Sequence, residues 1–347
     1  MRFFSRLFKH QEQTLAAEAS VNSATHVTNK ELIALQQQAH KLDMSRRSYA
    51  RSSSTGAHHS SFRGRGMDYQ ESRIYQAGDD IRNMDWRVTA RSGKPHTKLY
   101  QEERERPVVM VVDFNPGMFF GSTKSLKSVL AAKVATLIAW SVASKGDRIG
   151  GLIMNASHHE LSPKMGKRGV LQLIRELVIH SDPYEVLVKP SKTKGPNQSH
   201  TRLNDELKRL RRLAKPGSLI FLISDFYDID DETSAHLRQI SRHNDIQAIH
   251  IVDPLELMPP PPDQYTMTDG EVNGVVNTKS KKGYDKYQGF LTEHHQKLND
   301  VMHKNNIPMI QLSTKDDALL ALQRSFGARK KQGPISKSKM NSIGLGN

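Results

Sequence analysis

Three apolar segments that each end in an acidic residue constrain the fold of this 347-residue chain more than any other feature. They are residues 108–113 (VVMVVD), 218–225 (SLIFLISD) and 246–253 (IQAIHIVD). A continuous apolar run of this length is typical of a strand buried on both faces of a parallel sheet. Helical patterns alternate with these segments, over residues 125–145, 168–180, 201–214, 233–243, 286–305 and 316–326.

This alternation predicts an α/β fold, namely a doubly wound, mainly parallel sheet with helices on both faces. DRIGGLIM and IPMIQL supply further strands of the sheet. Upstream, SRIYQAG and HTKLYQEE alternate as strands do, so a small β-rich layer precedes the sheet. The predicted organisation is a helical and flexible segment (1–60), a β-rich segment with the GDDIR loop (61–106), the sheet domain (107–326) and a basic flexible tail (327–347).

Charge and composition narrow the classes of function. The net charge is +15, and most of the excess lies in residues 191–215 and 326–347. Such segments indicate either a footprint for nucleic acid or another polyanion, or a solvated helix face and a disordered tail. The absence of cysteine excludes disulfides and thiol nucleophiles. With no apolar run long enough to span a membrane, we expect a cytoplasmic protein.

The acids at the strand ends are the first candidates for a site. Asp113, Asp225 and Asp253 each close one of the three buried segments. In open α/β sheets, ligands bind beyond the carboxyl ends of the strands. Two neighbouring carboxylates there could share a hard divalent cation such as Mg²⁺, which prefers oxygen ligands.

The spacing around these acids resembles the metal-ion-dependent adhesion site of von Willebrand factor type A domains. That site has an acid, oxygen-bearing residues two and four positions later, a threonine at a helix start and an aspartate at a later strand end. The matching positions are Asp113, Asn115, Gly117, Thr201 and Asp225. Glycine has no side-chain oxygen, so the resemblance implies a degenerate site in which Mg²⁺ binds weakly or not at all. The alternative is that the acids serve only as hydrogen-bonding caps.

A second resemblance covers a larger part of the chain, roughly residues 56–325. The segment before the first strand resembles the signature of the domain-of-unknown-function-58 family, and GDRIG, ISDF and VDPLE fit the same family. The matching signature residues are Arg73, Tyr75, Gly78, Asp79, Asp80, Arg82, Asp85, Trp86, Ala90 and Arg91.

Members of that family are typically found beside MoxR-type AAA+ ATPases. The resemblance therefore implies a non-enzymatic adaptor that helps such an ATPase to mature or remodel client complexes. Two alternatives stay open, namely polyanion binding and, less favoured, a metal-dependent hydrolase that uses Asp113 and Asp225. The hydrolase lacks a second pair of carboxylates and a suitably spaced histidine base.

The signature segment itself admits two interpretations. Its acids and arginines form either a structural ion-pair network or a charged edge that a partner recognises. We expect Trp86 to be a buried brace beneath these charges rather than an interface anchor. We also expect Asp225 to be an exposed acid whose charge contributes little to stability.

Overall fold

The computed structural model describes residues 23–42, 67–102, 107–155, 159–183, 203–268 and 273–326. The predicted basic tail, most of the N-terminal segment and Thr201 lie outside the described residues. The helices are α1 (Asn29–Ala34), α2 (Gln36–Ala39), α3 (Trp86–Ser92), α4 (Lys127–Ala143), α5 (Gly166–His180), α6 (Leu203–Leu213), α7 (Asp231–Ser241), α8 (Lys281–Lys304) and α9 (Ala318–Phe326). The strands are β1 (Met67–Ile74), β2 (His96–Glu102), β3 (Pro107–Asp113), β4 (Arg148–Met154), β5 (His159–Met165), β6 (Leu219–Ser224), β7 (Asp245–Val252), β8 (Gln264–Thr268), β9 (Asn273–Asn277) and β10 (Met309–Ser313).

One sheet organises the described ranges. Its six strands have the order β10–β7–β6–β3–β4–β5, and every neighbouring pair is parallel except β4 and β5. The three acid-terminated segments form β3, β6 and β7, which lie inside the sheet and are almost entirely buried. The predicted doubly wound, mainly parallel α/β fold is therefore confirmed.

The two faces of the sheet have separate cores. On β3, Val108, Met110 and Val112 pack in the cluster that α4, α5 and α9 cover. Val109 and Val111 pack in the cluster that α6, α7 and α8 cover. Because successive side chains of a strand point to opposite faces, a strand between two helical layers needs apolar residues at every position. This requirement explains the unbroken apolar runs in the sequence.

The N-terminal helices belong to the first of these cores. Leu32 of α1 is fully buried, and Ala39 of α2 is buried in the same cluster. The indole Nε1 of Trp140, on α4, donates a hydrogen bond of 3.3 Å to the backbone oxygen of Leu32. The Thr28 hydroxyl caps α1 by accepting a hydrogen bond from the Glu31 amide. Residues 23–42 thus pack against the sheet domain.

The small β-rich layer is a hairpin. β1 and β2 pair antiparallel, with Ile74 opposite His96, and α3 lies in the connection between them. The sequence predicted a loop where α3 forms, because its seven residues include few apolar positions. None of the helices in the described ranges is both long and apolar enough to cross a membrane.

Two further elements differ from the prediction. β5 is an edge strand in which only Leu161 is buried, so it lacks an apolar run that sequence analysis can detect. The β8–β9 hairpin lies in a long polar stretch for which the sequence predicted neither helix nor strand. Both errors have one cause: these strands do not cross a buried layer.

A pair of adjacent substitutions tests whether α1 is part of the folded core. Leu32→Ala should lower the free energy of unfolding by about 2–5 kcal/mol, because it removes a fully buried side chain. Ile33→Ala, at a position that is 42% exposed, should change it by less than about 0.5 kcal/mol. Urea denaturation measures both values, and equal losses for the two variants would contradict the packing of α1.

Candidate functional site

The two carboxylates that the sequence placed at neighbouring strand ends do meet at one edge of the sheet. Asp113 is buried at the end of β3. Its Oδ1 accepts a hydrogen bond of 2.8 Å from the Asn115 amide, and its Oδ2 accepts one of 2.6 Å from the Ser224 hydroxyl. Burial, together with the nearby Asp225 carboxylate, raises the pKa of Asp113 to about 7.

A buried lysine neutralises this edge. Lys127 is the first residue of α4 and is only 1% exposed. Its Nζ donates to Asp225 Oδ2 at 2.8 Å and to Glu256 Oε1 at 2.6 Å. Burial alone would lower the pKa of Lys127, but the Asp225 and Glu256 carboxylates outweigh burial and raise the pKa above its ordinary value. The ammonium therefore stays charged.

Asp225 differs from what we expected. Its side chain is 11% exposed and ion-paired, so the prediction of an exposed and dispensable acid was wrong. Burial alone would raise the pKa of Asp225, but Lys127 holds this pKa below its ordinary value. A charge reversal at Asp225 would place a second cation against Lys127, so it would perturb the fold rather than a free surface.

The turn that follows β6 has an unusual backbone. Phe226 has a φ of 54°, in the left-handed region that bulky residues rarely adopt. The Phe226 amide donates to the Ser224 hydroxyl at 2.9 Å, and its ring is 1% exposed. Such a conformation costs about 1–3 kcal/mol and persists only when its surroundings determine it. Here the buried ring and the hydrogen bond hold the turn that directs Asp225 toward Lys127.

The third strand-end acid, Asp253, connects three loops. It accepts hydrogen bonds from the amide and hydroxyl of Ser122, from the Thr314 hydroxyl at 2.7 Å and from the Leu255 amide at 3.0 Å. Its own amide donates to Glu256 Oε2 at 2.8 Å, which positions the carboxylate that receives Lys127. Asp253 thus joins the loop before α4 to the ends of β7 and β10.

The geometry does not fit a hard divalent cation at the strand ends. The charge of Asp225 is already balanced by Lys127, and a second cation beside that ammonium would be repelled. Gly117 supplies no ligand, and a Cβ at this position would lie 3.0 Å from Asp225 Oδ2. Thr201 lies outside the described residues. Of the candidate ligands in the described residues, Asp225 is paired with Lys127, and both oxygens of Asp113 accept hydrogen bonds from Asn115 and Ser224.

The acids of the signature segment act as caps. Asp79 accepts hydrogen bonds from the Gln76 amide at 2.9 Å and from Arg73 Nη2 at 2.6 Å. Asp80 accepts from the Arg82 amide at 2.9 Å, at the start of a short 3-10 helix. Gly78 has a φ of 109°, which a residue with a side chain rarely adopts. These contacts form a rigid turn between β1 and α3.

The third acid, Asp85, joins α3 to β1. It accepts from the Val88 amide at 3.2 Å, as the N-cap of α3, and from the Ser72 hydroxyl of β1 at 2.8 Å. The hydrogen bond from Ser72 is the main cause that lowers the pKa of Asp85. The carboxylate therefore fixes α3 to the hairpin. Tyr75 follows the last residue of β1, and its amide donates a further backbone hydrogen bond to the Pro95 oxygen.

The arginines and the tryptophan of this segment do not follow the prediction. Arg82, Arg87 and Arg91 are exposed, and within the described ranges none of them makes an ion pair with the acids. The predicted network is thus reduced to the pair Arg73–Asp79. Trp86 is 68% exposed, so the prediction of a buried brace was wrong. The capping hydrogen bonds therefore hold the loop, and no buried tryptophan is needed beneath it.

Sequence reasoning missed Lys127 and Glu256 as members of the strand-end site. Glu256 stood in the VDPLE motif without a role, and Lys127 was read as an ordinary residue of a predicted helix. One signal could have found the lysine. Lys127 is the first residue of a helix that is otherwise mostly apolar, and a charged side chain in such a helix must be either paired or exposed.

Comparison with known proteins identifies the family. A profile described as "Protein of unknown function DUF58" matches residues 71–297, which is more than half of the chain. The chain belongs to the DUF58 family. Uncharacterized proteins of Mycobacterium bovis and Mycobacterium tuberculosis are each 28% identical over 276 residues, which cover 79% of this chain and 82% of the relative.

Solved structures provide more distant likenesses. The BatB protein of Bacteroides thetaiotaomicron is 11% identical, with a TM-score of 0.38, over 63% of this chain and 96% of that protein. A von Willebrand factor type A protein of Catenulispora acidiphila is also 11% identical, with a TM-score of 0.34, over 67% and 42% of the two chains. The fold assignment of this DUF58 protein rests on its own strand order and on the family match.

A substitution at Lys127 tests how the strand-end charge is balanced. We expect millimolar Mg²⁺ to leave the melting temperature of the wild type unchanged, because Lys127 already neutralises Asp225. Lys127→Met should lose about 3–5 kcal/mol of stability, since it leaves buried carboxylates without a cation, and Mg²⁺ should restore part of this loss. Thermal unfolding with and without Mg²⁺ measures both effects.

Lys133→Met is the matched control for this experiment. Lys133 lies on the same helix, in a partly exposed pair with Glu31 at 3.2 Å. Such a pair contributes at most about 1 kcal/mol, and the control should not respond to Mg²⁺. A wild-type melting temperature that rises at micromolar Mg²⁺ would show that the site holds the ion despite Lys127.

The pKa of Asp113 predicts a pH dependence. The folded-state pKa of about 7 exceeds the ordinary value of 3.8, so the folded state binds the proton more tightly than the unfolded state. The stability associated with this group is complete below about pH 4 and is lost as the pH rises through 7. Asp113→Asn should therefore gain stability relative to the wild type between pH 5 and pH 8. Urea unfolding of the wild type and of Asp113→Asn at pH 5 and at pH 8, in EDTA, measures this gain. A difference in stability between the two proteins that is the same at both pH values would contradict the raised pKa of Asp113.

Proposed function

We propose that this protein is a non-enzymatic protein-binding module that acts in the cytoplasm beside a MoxR-type AAA+ ATPase, which it helps to mature or remodel client complexes. The observation that carries the proposal is the 68% exposure of Trp86. Tryptophan is among the residues that most often dominate binding energy at interfaces. The choice of ATPase follows from the family resemblance set out above.

The backbone that carries Trp86 is held at both ends of α3. Trp86 is the first residue of α3, directly after the Asp85 N-cap that Ser72 also contacts. Gly93, with a φ of 71°, ends the helix after two turns. A side chain on a preorganised element loses little conformational entropy when a partner binds.

The surroundings of Trp86 in the chain have the composition of an interface. Ile74 at the end of β1 is 55% exposed, and Ile81 in the connection is 62% exposed. Arg82 and Arg87 are exposed in the same connection. A contiguous apolar patch rimmed by polar side chains is typical of a protein-binding surface, and all of these residues lie in the one signature segment. The arginines would favour a partner with acidic groups in the facing surface.

The state of the strand-end groups supports a role other than catalysis. Asp225 is paired with Lys127, and both oxygens of the Asp113 carboxylate accept protein hydrogen bonds. Burial, with a smaller contribution from His295, lowers the pKa of His250 to about 3, so this histidine is neutral. A general base or nucleophile needs an accessible reacting atom within reach of a substrate. The two carboxylates are instead engaged by protein donors.

The alternative of polyanion binding through the basic helix is less well supported. On α6, Lys208 lies 2.9 Å from Glu232, and Arg211 donates to Gln239. Arg209 lies 3.8 Å from Glu206. Phosphate binding would require these side chains to exchange their partners for phosphate groups. The basic tail lies outside the described residues.

Removal of the tryptophan side chain tests the proposal. Trp86→Ala should weaken binding to a purified MoxR-type ATPase by about 2 kcal/mol or more, which is roughly thirtyfold in Kd. Its free energy of unfolding should change by less than about 0.5 kcal/mol, because the side chain is exposed. Titration calorimetry measures the affinity, and urea denaturation measures the stability.

Two further variants locate the binding surface. Leu320→Ala removes another exposed apolar side chain, on α9, and should bind like the wild type. Tyr227→Ala removes an exposed aromatic ring just after β6, at the carboxyl edge of the sheet. Loss of binding in Tyr227→Ala, with full affinity in Trp86→Ala, would move the interface to that edge. Unchanged affinity in both Trp86→Ala and Tyr227→Ala would overturn the proposal that either side chain anchors the partner.

A further inference from the structure

A second cluster of polar side chains lies at the carboxyl edge, beside the antiparallel edge strand. His159 is the first residue of β5 and pairs with Ile153 near the end of β4. Because β5 runs antiparallel to β4, its first residue lies at the edge where the parallel strands end. α5 follows β5 directly and returns to that edge, where its last turn carries Glu176 and His180.

The three side chains are close enough to share an ion. Glu176 Oε2 lies 3.6 Å from His180 Nε2 and 3.9 Å from His159 Nδ1. The two imidazole rings have centroids 4.3 Å apart. One ligand atom from each of the three residues lies within 4.8 Å of the other two. In the ranges that the structure describes, no other three His, Asp or Glu side chains come this close together.

We propose that His159, Glu176 and His180 bind a divalent transition metal ion of the zinc type. Zinc bonds of about 2.0–2.1 Å in a tetrahedral site separate neighbouring ligand atoms by roughly 3.4 Å. The observed 3.6 and 3.9 Å exceed this value by only a few tenths of an ångström. Two imidazoles favour zinc, nickel or iron over Mg²⁺, and two histidines with one carboxylate leave a coordination position for water.

The helix supplies two of these ligands in a fixed relation. Residues four apart lie on the same face of a helix, so Glu176 and His180 approach one another without any change of the backbone. His159 comes from the neighbouring strand and completes the set. The site therefore uses a strand and the helix that follows it, both of which are held by the core.

A buried amide supports the inner histidine. Asn155, just after β4, places its side-chain Nδ2 2.6 Å from His180 Nδ1, and a flip of the amide puts its oxygen at this position instead. The other ring nitrogen, Nε2, is thus directed toward Glu176. An amide can present either its oxygen or its NH₂ group, and with the oxygen toward Nδ1–H it stabilises the tautomer whose Nε2 binds a metal. Metal-bound histidines commonly have such a partner on the second nitrogen.

Burial of the cluster fits an ion that enters from one side. The side chains of His180 and Glu176 are 9% and 18% exposed, while that of His159 is 40% exposed. The inner two ligands are therefore preorganised, and His159 can close over the ion from the solvent side. A bound ion would attach the start of β5 to the end of α5, where β4 is the one neighbour of β5 among the described strands.

Zinc binding to the full-length protein tests this inference, which does not depend on the proposed partner. After treatment with EDTA, the protein is titrated with Zn²⁺ by calorimetry, and its melting temperature is measured with and without Zn²⁺. We expect one tight site and a rise of several degrees in melting temperature, because an ion that binds only the folded state stabilises it. Co²⁺ in the same site should give the visible absorption of a four-coordinate ion.

Three variants separate this site from the other histidines of the chain. His159→Ala and Glu176→Gln should each weaken Zn²⁺ binding at least tenfold and abolish the Co²⁺ absorption. His159 is partly exposed, so its variant should fold even if Glu176→Gln does not. His236→Ala is the matched control, because His236 and Glu232 have the same four-residue spacing, at 3.5 Å, without a third ligand in the described residues. Absence of tight binding in the wild type, or equal binding in all variants, would overturn the site.

Discussion

The ion pair between Lys127 and Asp225 is the interaction on which the carboxyl edge of the sheet depends. It places a charged ammonium between the carboxylates of Asp225 and Glu256, at the first residue of the helix that packs across β3. Removing two charges from water costs several kcal/mol, which is recovered only with close geometry and further hydrogen bonds. The contacts of Asp253 with Glu256, Ser122 and Thr314 supply those hydrogen bonds. The loops at this edge are therefore held in one arrangement.

The buried layers of this protein could be predicted from sequence, whereas its charged contacts could not. β3, β6 and β7 were recognised because a strand between two helical layers must be apolar at every position. Asp113 and Asp225 were also placed correctly at one edge, since the carboxyl ends of parallel strands share an edge. Lys127, the partner of Asp225, was not predicted, because an ion pair between residues 98 positions apart in the chain leaves no local sequence pattern.

Exposure was the least predictable property. Trp86 was expected to be buried because the charges of its segment were thought to need packed side chains beneath them, yet the hydrogen bonds that Asp79, Asp80 and Asp85 accept suffice to hold its loop. A side chain that packing does not require can be retained for binding. The opposite error was made for Asp225, which was expected to be exposed and instead lies under the loops of the edge.

The edge strand β5 also determines where the sheet ends. A free strand edge presents unpaired backbone groups, to which another chain can add a strand. Pro163 lacks an amide donor, and Lys164 beside it carries an exposed charge. The pairing of β4 with β5 shifts in register between Ile149 and Gly151, and a Cβ on Gly150 would lie 2.9 Å from Pro163 Cγ. The proline and the irregular register make this edge a poor template for a further strand, so β5 disfavours assembly through its own side of the sheet.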